Sequence, residues 1–318
     1  MLRKRFQLAL VHLAVAMTLV PINSTLNRVM IKEMAISATL VAVLASLPYL
    51  FSPTQVLIGS YSDRHPIFGW RRTPYIAIGL GLCVLGVVLS PLAVFLMPVN
   101  MALGLLASLL VFAAWGMGFN VASVAYLSLA SELSGEGGRS RTVSIMWFVM
   151  IAGIIVTAAA LSGMLAEYSH AVLERAFLLI GGAALVLGLL GLVGLEPRHT
   201  GARTAVHRAN WHTLLSEVLG NREARVFFFY LILLLAAILG QDVLLEPYAG
   251  EAFGLPVQAT TRITSIWGTC VLVTLIAAGV MERKIGKRAV AQIGAAGAIL
   301  GFAVIAASGP LAVRSLFY

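Results

Sequence analysis

Residues 59–75 read GSYSDRHPIFGWRRTPY, and this stretch decides how the rest of the chain is interpreted. It lies between two long apolar runs, and its charged side chains are concentrated between positions 63 and 72. A short basic loop between apolar runs indicates two helices that leave a membrane on the side that retains positive charge. The stretch therefore predicts a membrane protein and gives the first indication of its orientation.

The composition indicates the same class. The chain has 318 residues, of which 60% are hydrophobic and 11% are charged, and its mean hydropathy is +0.95. A soluble domain would contain about 45–50% apolar residues. The net charge of +9 does not indicate nucleic-acid binding, because the basic residues fall in short loops between apolar runs. We therefore expect a polytopic protein whose first partner is the lipid bilayer, with no nucleic acid involved.

Apolar runs of about 20 residues mark helices that cross the hydrocarbon core of a bilayer. Backbone groups in lipid must be satisfied internally, and the alternating pattern of a membrane strand is absent, so the spans are predicted to be helices. The predicted spans are 8–31, 37–61, 73–96, 101–131, 143–166, 174–195, 225–246, 258–281 and 289–307, with a tenth beginning near Leu311.

The distribution of basic residues predicts the orientation. With a cytoplasmic N-terminus, 17 of the 22 Lys and Arg residues fall on the cytoplasmic side, and the remaining five fall on the opposite side or at adjoining helix ends. Positive residues accumulate in cytoplasmic loops. We therefore expect a multi-pass protein of the inner membrane, cytoplasmic or photosynthetic, with its N-terminus in the cytoplasm.

One long loop divides the chain after six spans. The predicted units are an N-terminal six-helix bundle at 1–195, a cytoplasmic linker at 196–224 and a partial C-terminal helix bundle at 225–318. Within the linker, apolar residues recur at helical spacing between Trp211 and Leu219. This pattern predicts an amphipathic helix on the inner membrane surface, and an ordinary linker helix packed on the bundle is the alternative.

A weak internal repeat supports this division. Residues 278–288, AGVMERKIGKR, repeat the order found at 59–72, namely a small residue, a carboxylate, an arginine, a glycine and a basic pair. Both stretches follow the second span of their half. Six spans, a linker and six more spans is the plan of the major facilitator superfamily. The fold class is therefore predicted to be the major facilitator fold, with the first six-helix bundle complete and about three helices of the second.

The loop charges are candidates for a latch. The loop at 59–72 starts with Gly-x-x-x-Asp-Arg and ends with Gly-x-Arg-Arg. In both features it resembles the loop between helices 2 and 3 of major facilitator transporters. Asp63, at the inner end of helix 2, is placed to accept hydrogen bonds from a neighbouring helix N-terminus and to pair with Arg71 or Arg72. We predict that these residues, with Arg64, latch the two halves together; a solvated loop charge is the alternative.

Three charges near the outer ends of spans 1 and 7 form a second group. Asp242 and Glu246 are four residues apart and share a helix face, which is unfavourable unless a cation lies opposite. Arg28 lies at a matching depth on the helix related by pseudo-symmetry. We predict an Arg28–Asp242/Glu246 bridge that closes the outer end of a central cavity, with snorkelling of isolated charges as the alternative.

Three segments carry the most specific resemblance. LNRVMIKE (26–33), SDRHPIFGWRRTPYI (62–76) and QDVLLEPYAGEAFG (241–254) resemble segments of the PucC/LhaA, or bacteriochlorophyll delivery, branch of the major facilitator superfamily. The resemblance extends over essentially the whole chain. It implies a membrane assembly factor that binds or delivers chlorophyll or bacteriochlorophyll, with light-harvesting or reaction-centre subunits as partners. One departure is that residues 116–121 read GMGFNV, where many relatives carry a His and a Gln after the glycine pair.

A chlorin needs one axial ligand for its magnesium, usually an imidazole nitrogen, and apolar or aromatic walls. His12 is the one histidine within a predicted span. It is therefore the first candidate ligand, although bonding to a neighbouring helix is a competing use. The other polar candidates for pigment or substrate binding are Asn23, Asn27, Gln55, Asn120 and Gln241.

No sequence motif for catalysis appears. The chain lacks a Walker loop, a nucleophile elbow, a dinucleotide fingerprint and a metal-ligand cluster, so we expect neither an enzyme nor a metal site. Two alternatives to pigment delivery remain open. One is a proton-coupled small-molecule transporter, and the other is a structural subunit of a photosynthetic complex that transports nothing.

Overall fold

The computed structural model describes residues 2–198 and 219–308, apart from the side chains of a few residues within those ranges, among them Asp242. Nine helical segments follow one another: α1 (Leu2–Glu33), α2 (in three pieces, Ala38–Ala45, Leu47–Leu50 and Thr54–Arg64), α3 (Thr73–Phe95), α4 (Met101–Gly135), α5 (Arg141–Met164), α6 (His170–Leu192), α7 (Arg222–Phe253), α8 (Val257–Ala278) and α9 (Arg288–Ser308). Seven of them, all except α2 and α7, are long and apolar enough to cross a membrane. The all-α polytopic class is therefore confirmed.

The nine segments occupy the positions of the nine predicted spans. The predicted tenth span near Leu311 lies outside the described residues, as does nearly all of the predicted amphipathic helix that begins at Trp211. The division of the chain at 196–224 stays a prediction. We call the end of the bundle that carries the α2–α3 connection the basic end, and the end that carries the α7–α8 connection the opposite end.

The second half of α1 departs from α-helical geometry. Pro21–Leu26 and Val29–Glu33 are π-helical, with backbone hydrogen bonds spanning five residues rather than four. Proline at position 21 has no backbone N–H to donate to the preceding turn. The π segments change which side chains share a face of α1.

Helix α2 is interrupted twice at proline. Pro48 opens its second piece, and Pro53 precedes its third. Each proline removes a backbone donor and crowds the preceding turn. The sequence predicts this interruption, and the broken backbone leaves carbonyl groups that need other donors.

The first six helices pack around one core, whose largest buried side chains include Phe112, Trp115 and Phe177. Helices α3 and α4 approach most closely at Gly79 and Gly118. A Cβ atom built on Gly79 would lie 2.7 Å from the carbonyl oxygen of Gly118. Backbone contact of this kind is typical of small residues at membrane helix interfaces.

Helices α7 to α9 meet in a smaller cluster at the opposite end, formed by residues that include Ala249, Phe253 and Ile263. Helix α8 also packs on α5, where a Cβ atom at Gly268 would lie 2.8 Å from Ile155. Both cysteines are free thiols, Cys83 buried on α3 and Cys270 exposed on α8.

The internal repeat has a backbone counterpart. Gly69 and Gly286, the glycines that precede the basic pair in each copy, have positive φ angles of 82° and 80°. Glycine adopts this region without steric cost, whereas other residues are strained there. Both repeat segments therefore place a glycine with positive φ before the basic pair.

Candidate functional site

The basic end carries a charge network centred on Arg72, which is 4% exposed. Its Nη1 donates to Ser62 Oγ at 2.7 Å, and its Nη2 donates to Asp63 Oδ1 at 2.6 Å and to Glu132 Oε1 at 3.2 Å. One guanidinium thus joins the end of α2 to the end of α4. Charge-assisted hydrogen bonds of this kind are about twice as strong as neutral ones.

Glu196, just after α6, caps the start of α3. Its carboxylate accepts hydrogen bonds from the backbone N–H groups of Arg71, Arg72 and Thr73, the shortest being 2.7 Å from Thr73. These are the N–H groups that a helix start leaves without intrahelical acceptors. A carboxylate at this position also interacts favourably with the helix dipole. Glu196 is 6% exposed, so water does not replace it.

Residues 67–70 of the loop form a tight turn. Ile67 and Trp70 exchange two backbone hydrogen bonds of 2.9 and 3.0 Å around Phe68 and Gly69, which both have positive φ. Trp70 Nε1 donates to the carbonyl of Glu196 at 3.2 Å. The turn therefore packs on the same segment that caps α3.

Some of the predicted latch residues belong to this network, and one does not. Asp63 and Arg72 contact each other, and Arg71 is buried with its backbone N–H on Glu196. Arg64 makes none of the described contacts of this network. Glu196 and the α4 residue Glu132 are not among the predicted residues, and neither has a local sequence signal that links it to the loop.

At the opposite end, the partners of Arg28 differ from the predicted ones. Its Nη1 donates to Glu33 Oε1 at 2.6 Å, and its Nη2 donates to the backbone carbonyl of Leu255 at 2.7 Å. The predicted bridge to Glu246 is absent from the described ion pairs, and the side chain of Asp242 lies outside the described residues. The π geometry of α1 explains the change, because it brings Glu33 onto the face of Arg28.

Tyr168, in the α5–α6 connection, lies beside this ion pair. Burial raises the pKa of Tyr168 to about 12, and the Glu33 carboxylate adds to the rise while the Arg28 guanidinium opposes it. The phenol is therefore neutral at physiological pH. Its hydroxyl is a buried polar group with no hydrogen-bond partner in the described structure.

Glu246 occupies a polar contact between the two halves. It is 2% exposed and accepts a hydrogen bond from Thr264 of α8, and the hydroxyl of Ser24 of α1 lies beside its carboxyl group. One turn away, Thr25 of α1 bonds Thr261 of α8. Gln241, a turn earlier on α7, is half-buried. An ionisable group buried at a helix interface of a membrane protein is a candidate functional residue.

His12 is 6% exposed between α1, α4 and α5. Its ring lies 5.2 Å from that of Tyr126 and 5.6 Å from that of Trp147, which meets it edge-on. The Nδ1 atom is buried without a hydrogen-bond partner in the described structure. The imidazole also interacts with the backbone of Met146 on α5. Packing between helices therefore accounts for part of the environment of His12.

The remaining polar candidates bond to their own helices or to α2. Asn120 Nδ2 donates to the carbonyls of Pro48 (2.7 Å) and Gly116 (2.8 Å), and its Oδ1 accepts from Gln55 at 2.5 Å. These bonds satisfy the interrupted backbone of α2 and favour a structural role. Asn27 donates to the carbonyl of Asn23 at 3.0 Å, and the side-chain oxygens of both have no described partner.

Comparison with known proteins assigns the chain to a family. The model of the family described as "PUCC protein" matches residues 25–318. The chain belongs to the PucC family. Protein PucC of Rhodobacter capsulatus is 32% identical over 91% of this chain and 64% of its own length, and Protein PucC of Cereibacter sphaeroides is 30% identical over 96% and 68%. A further relative, 30% identical over 96% of this chain and 71% of its own length, is named "Bacteriochlorophyll synthase 44.5 kDa chain" in Rhodobacter capsulatus. This PucC-family chain thus spans about two thirds of these relatives.

Solved structures agree on the fold. The PucC-family chain superposes on the partially occluded inward-open xylose transporter XylE of E. coli with a TM-score of 0.67 and 15% identity, covering 99% of this chain and 81% of that one. A bacterial homolog of the human lysosomal transporter Spinster, inward-facing and unoccupied, gives a TM-score of 0.61 and 14% identity, covering 90% and 64%. These identities show the fold alone. The predicted major facilitator fold is therefore confirmed.

Proposed function

We propose that this protein is a membrane carrier that binds a chlorophyll-type pigment and delivers it to light-harvesting or reaction-centre subunits. The observation that supports this function most directly is the buried Nδ1 atom of His12, which has no described partner and lies among aromatic rings. Membership of the PucC family and the name of the bacteriochlorophyll-related relative support the choice of pigment.

His12 and its aromatic neighbours are the types of residue that such a group needs. A bound chlorin supplies a magnesium that takes one axial ligand, and His12 Nδ1 would be that ligand. The rings of Tyr126 and Trp147 would flank the macrocycle. Trp147 is 50% exposed, so one of these rings reaches the bundle surface. The chain's role in this proposal is to hold and release the pigment rather than to alter it chemically.

The test is to purify the protein in mild detergent from a host that makes bacteriochlorophyll and to record its absorption spectrum. We expect pigment in the wild type and less pigment in His12→Ala. The matched control is His170→Ala, because His170 is exposed and stacks on Phe95 at 4.0 Å, away from the His12 pocket. Antenna and reaction-centre subunits in the same preparation are identified by mass spectrometry.

Two results would contradict the proposal. If neither tetrapyrrole absorbance nor antenna subunits co-purify, the protein does not deliver pigment. If His12→Ala and His170→Ala retain equal pigment, His12 is not its ligand and only the site assignment is lost. Co-purified antenna subunits without any pigment would instead favour a structural subunit of a photosynthetic complex.

A second candidate is proton-coupled transport of a small molecule, which Glu246 favours. This carboxyl group is buried between α1, α7 and α8, where the hydroxyls of Ser24 and Thr264 lie beside it. Protonation of such a group would change the polar contact between the two halves. Uptake into vesicles that depends on a proton gradient, and that is lost in Glu246→Gln, would support transport over delivery.

A further inference from the structure

A cavity of about 590 Å³ opens at the basic end, between the last turns of α2, the start of α3 and the middle of α4. One part of its wall is apolar, and the other part is aromatic and basic. The apolar part consists of Leu57, Ile58, Ile78 and Val121, and the polar part consists of Ser60, Tyr61, Arg64, His65 and Tyr75. The cavity is therefore amphipathic.

The polar part is held in place by its own contacts. The rings of Tyr61 and His65 stack with 4.1 Å between centroids, and His65 Nδ1 lies 3.1 Å from the carbonyl oxygen of Tyr61. The hydroxyl of Tyr75 donates to the carbonyl oxygen of His65 at 2.7 Å. These bonds occupy carbonyl groups at the end of α2 that would otherwise repel an anion.

Arg64 supplies an uncompensated positive charge at this wall. It is exposed, and within residues 2–198 and 219–308 no carboxylate forms a described ion pair with it. The nearest acid in sequence, Asp63, is already paired with Arg72. The guanidinium therefore has free donors for an anion that enters the cavity, and guanidinium groups bind phosphate oxygens in pairs.

Tyrosine side chains indicate the depth of the cavity. Tyr61 and Tyr75 lie at the ends of α2 and α3, where aromatic residues with a polar group sit at the level of lipid headgroups. The apolar residues Leu57 and Ile78 are 71% and 51% exposed and continue from this level along the helices. A molecule that fills the cavity would meet a cation at the interface and an apolar wall beneath it.

We propose that this cavity binds an anionic phospholipid. Its phosphate would contact Arg64, with Tyr61 and Tyr75 beside the glycerol region, and one acyl chain would lie against Leu57 and Ile78. A lipid held there would contact both α2 and α3 next to the Ser62–Asp63–Arg72 network. Bound lipid therefore stabilises the arrangement in which these two helix ends are joined.

The test measures lipid binding to the purified, delipidated protein by native mass spectrometry, with phosphatidylglycerol and phosphatidylcholine titrated in parallel. Phosphatidylglycerol is expected to bind more tightly. Arg64→Gln is expected to weaken phosphatidylglycerol binding about five-fold, as for one basic residue near an anionic headgroup. The matched control is Arg139→Gln, an exposed arginine of the α4–α5 connection outside the cavity, which is expected to leave binding unchanged.

A second pair of variants tests the apolar wall. Ile78→Trp fills the cavity, whereas Leu85→Trp adds the same bulk two turns further along the same face of α3, where Leu85 is 55% exposed. Only Ile78→Trp is expected to weaken lipid binding. Because Arg64 is exposed, Arg64→Gln is expected to fold, so the charge test does not depend on the tryptophan variants.

Three results would overturn the proposal. The first is equal loss of binding in Arg64→Gln and Arg139→Gln, which would indicate general attraction to a basic surface. The second is unchanged binding in a folded Ile78→Trp variant. The third is that soluble glycerol phosphate competes with the lipid at equal concentration, which would indicate a small-anion site without an acyl-chain component.

Discussion

Thr25 of α1 and Thr261 of α8 share a hydrogen bond across the contact between the two halves, with 3.0 Å between their Oγ1 atoms. Both side chains are fully buried. Two further bonds lie at the same end, from Arg28 to the carbonyl of Leu255 and from Ser162 to the carbonyl of Gln258. The opposite end is therefore joined by short polar contacts between helices that approach closely.

The threonine pair predicts a measurable coupling. Thr25→Val and Thr261→Val should each lower the free energy of unfolding by about 1 kcal/mol, because each leaves a buried hydroxyl without its partner. The double variant should cost less than the sum of the two. The measurement is denaturant unfolding in detergent. The control cycle pairs Thr25→Val with Thr157→Val, whose hydroxyl bonds Gly153 within α5, and it should be additive. Equal behaviour of both cycles would contradict the contact.

Glu196 is distant in sequence from α3 but caps its start, so its replacement should lower stability. Glu196→Ala removes the acceptor of three N–H groups at the start of α3 and should lower the free energy of unfolding by about 1–2 kcal/mol. Glu196→Gln keeps one acceptor oxygen and should be milder. Thermal unfolding gives the comparison, with exposed Glu167→Ala as a control that should stay within about 0.5 kcal/mol of wild type. A Glu196→Ala protein as stable as the control would exclude the cap.

Gly79 and Gly81, two residues apart on α3, separate the effect of packing from that of helix propensity. A Cβ atom at Gly79 would lie 2.5 Å from the backbone nitrogen of Ala122, so Gly79→Ala should cost about 1–3 kcal/mol. Nothing lies within 4 Å of a Cβ atom at Gly81, so Gly81→Ala should stabilise α3 by up to about 1 kcal/mol. Unfolding of the two variants in one detergent checks the opposite signs. The same sign for both would contradict the close approach of α3 and α4.

The ion pair between Arg28 and Glu33 at the end of α1 predicts that these two residues contribute to stability in a coupled way. Arg28 is 2% exposed and Glu33 is 38% exposed, and a double-mutant cycle to alanine should give a coupling of about 1–2 kcal/mol. The matched cycle of Arg28→Ala with Glu251→Ala, an exposed acid of α7, should be additive within about 0.5 kcal/mol. Coupling in the Glu251 cycle alone would show that Arg28 pairs with Glu251 rather than with Glu33.

The orientation is open to a labelling experiment. In a Cys270→Ser background, which removes the exposed native thiol, Arg139→Cys marks the basic end and Glu167→Cys marks the opposite end. We expect an impermeant maleimide to label Glu167→Cys in intact cells and to label Arg139→Cys only after permeabilisation, because positive residues stay cytoplasmic. The reverse pattern would place the N-terminus outside.

Local features of the sequence were sufficient for much of the architecture. Apolar run length predicts the nine helices, since hydrocarbon thickness fixes how many residues must be apolar. Pro48 and Pro53 predict the interruption of α2, since proline cannot complete the helical bonds. Asp63 and Arg72 are close in the chain and on adjacent helix ends, so their contact follows from a short loop.

The partners supplied by tertiary packing were not predictable in the same way. Glu132 and Glu196 reach Arg72 across 60 and 124 positions, and only the arrangement of α4 and α6 around α3 brings them there. Arg28 pairs with Glu33 rather than with Glu246 for a different reason. Residues five apart lie about 140° apart around an α-helix, which hides Glu33 from Arg28. A π-helix aligns them, and its occurrence is not marked by residue type.

Helix α8 approaches Ile155 of α5 closely at Gly268, so a tilt of α8 would pivot at this glycine. The described hydrogen bonds between the halves lie on one side of this point, whereas Val273, Leu275 and Ile276 beyond it are exposed. Ala278 is ten residues further along the helix, or about 15 Å at 1.5 Å per residue. A tilt of about 20° about the glycine would move that end of α8 by about 5 Å. Replacing one hydrogen atom of Gly268 by a methyl group would thus change the helix contact at this pivot. The resulting tilt would displace α8 most at its far end, near Ala278.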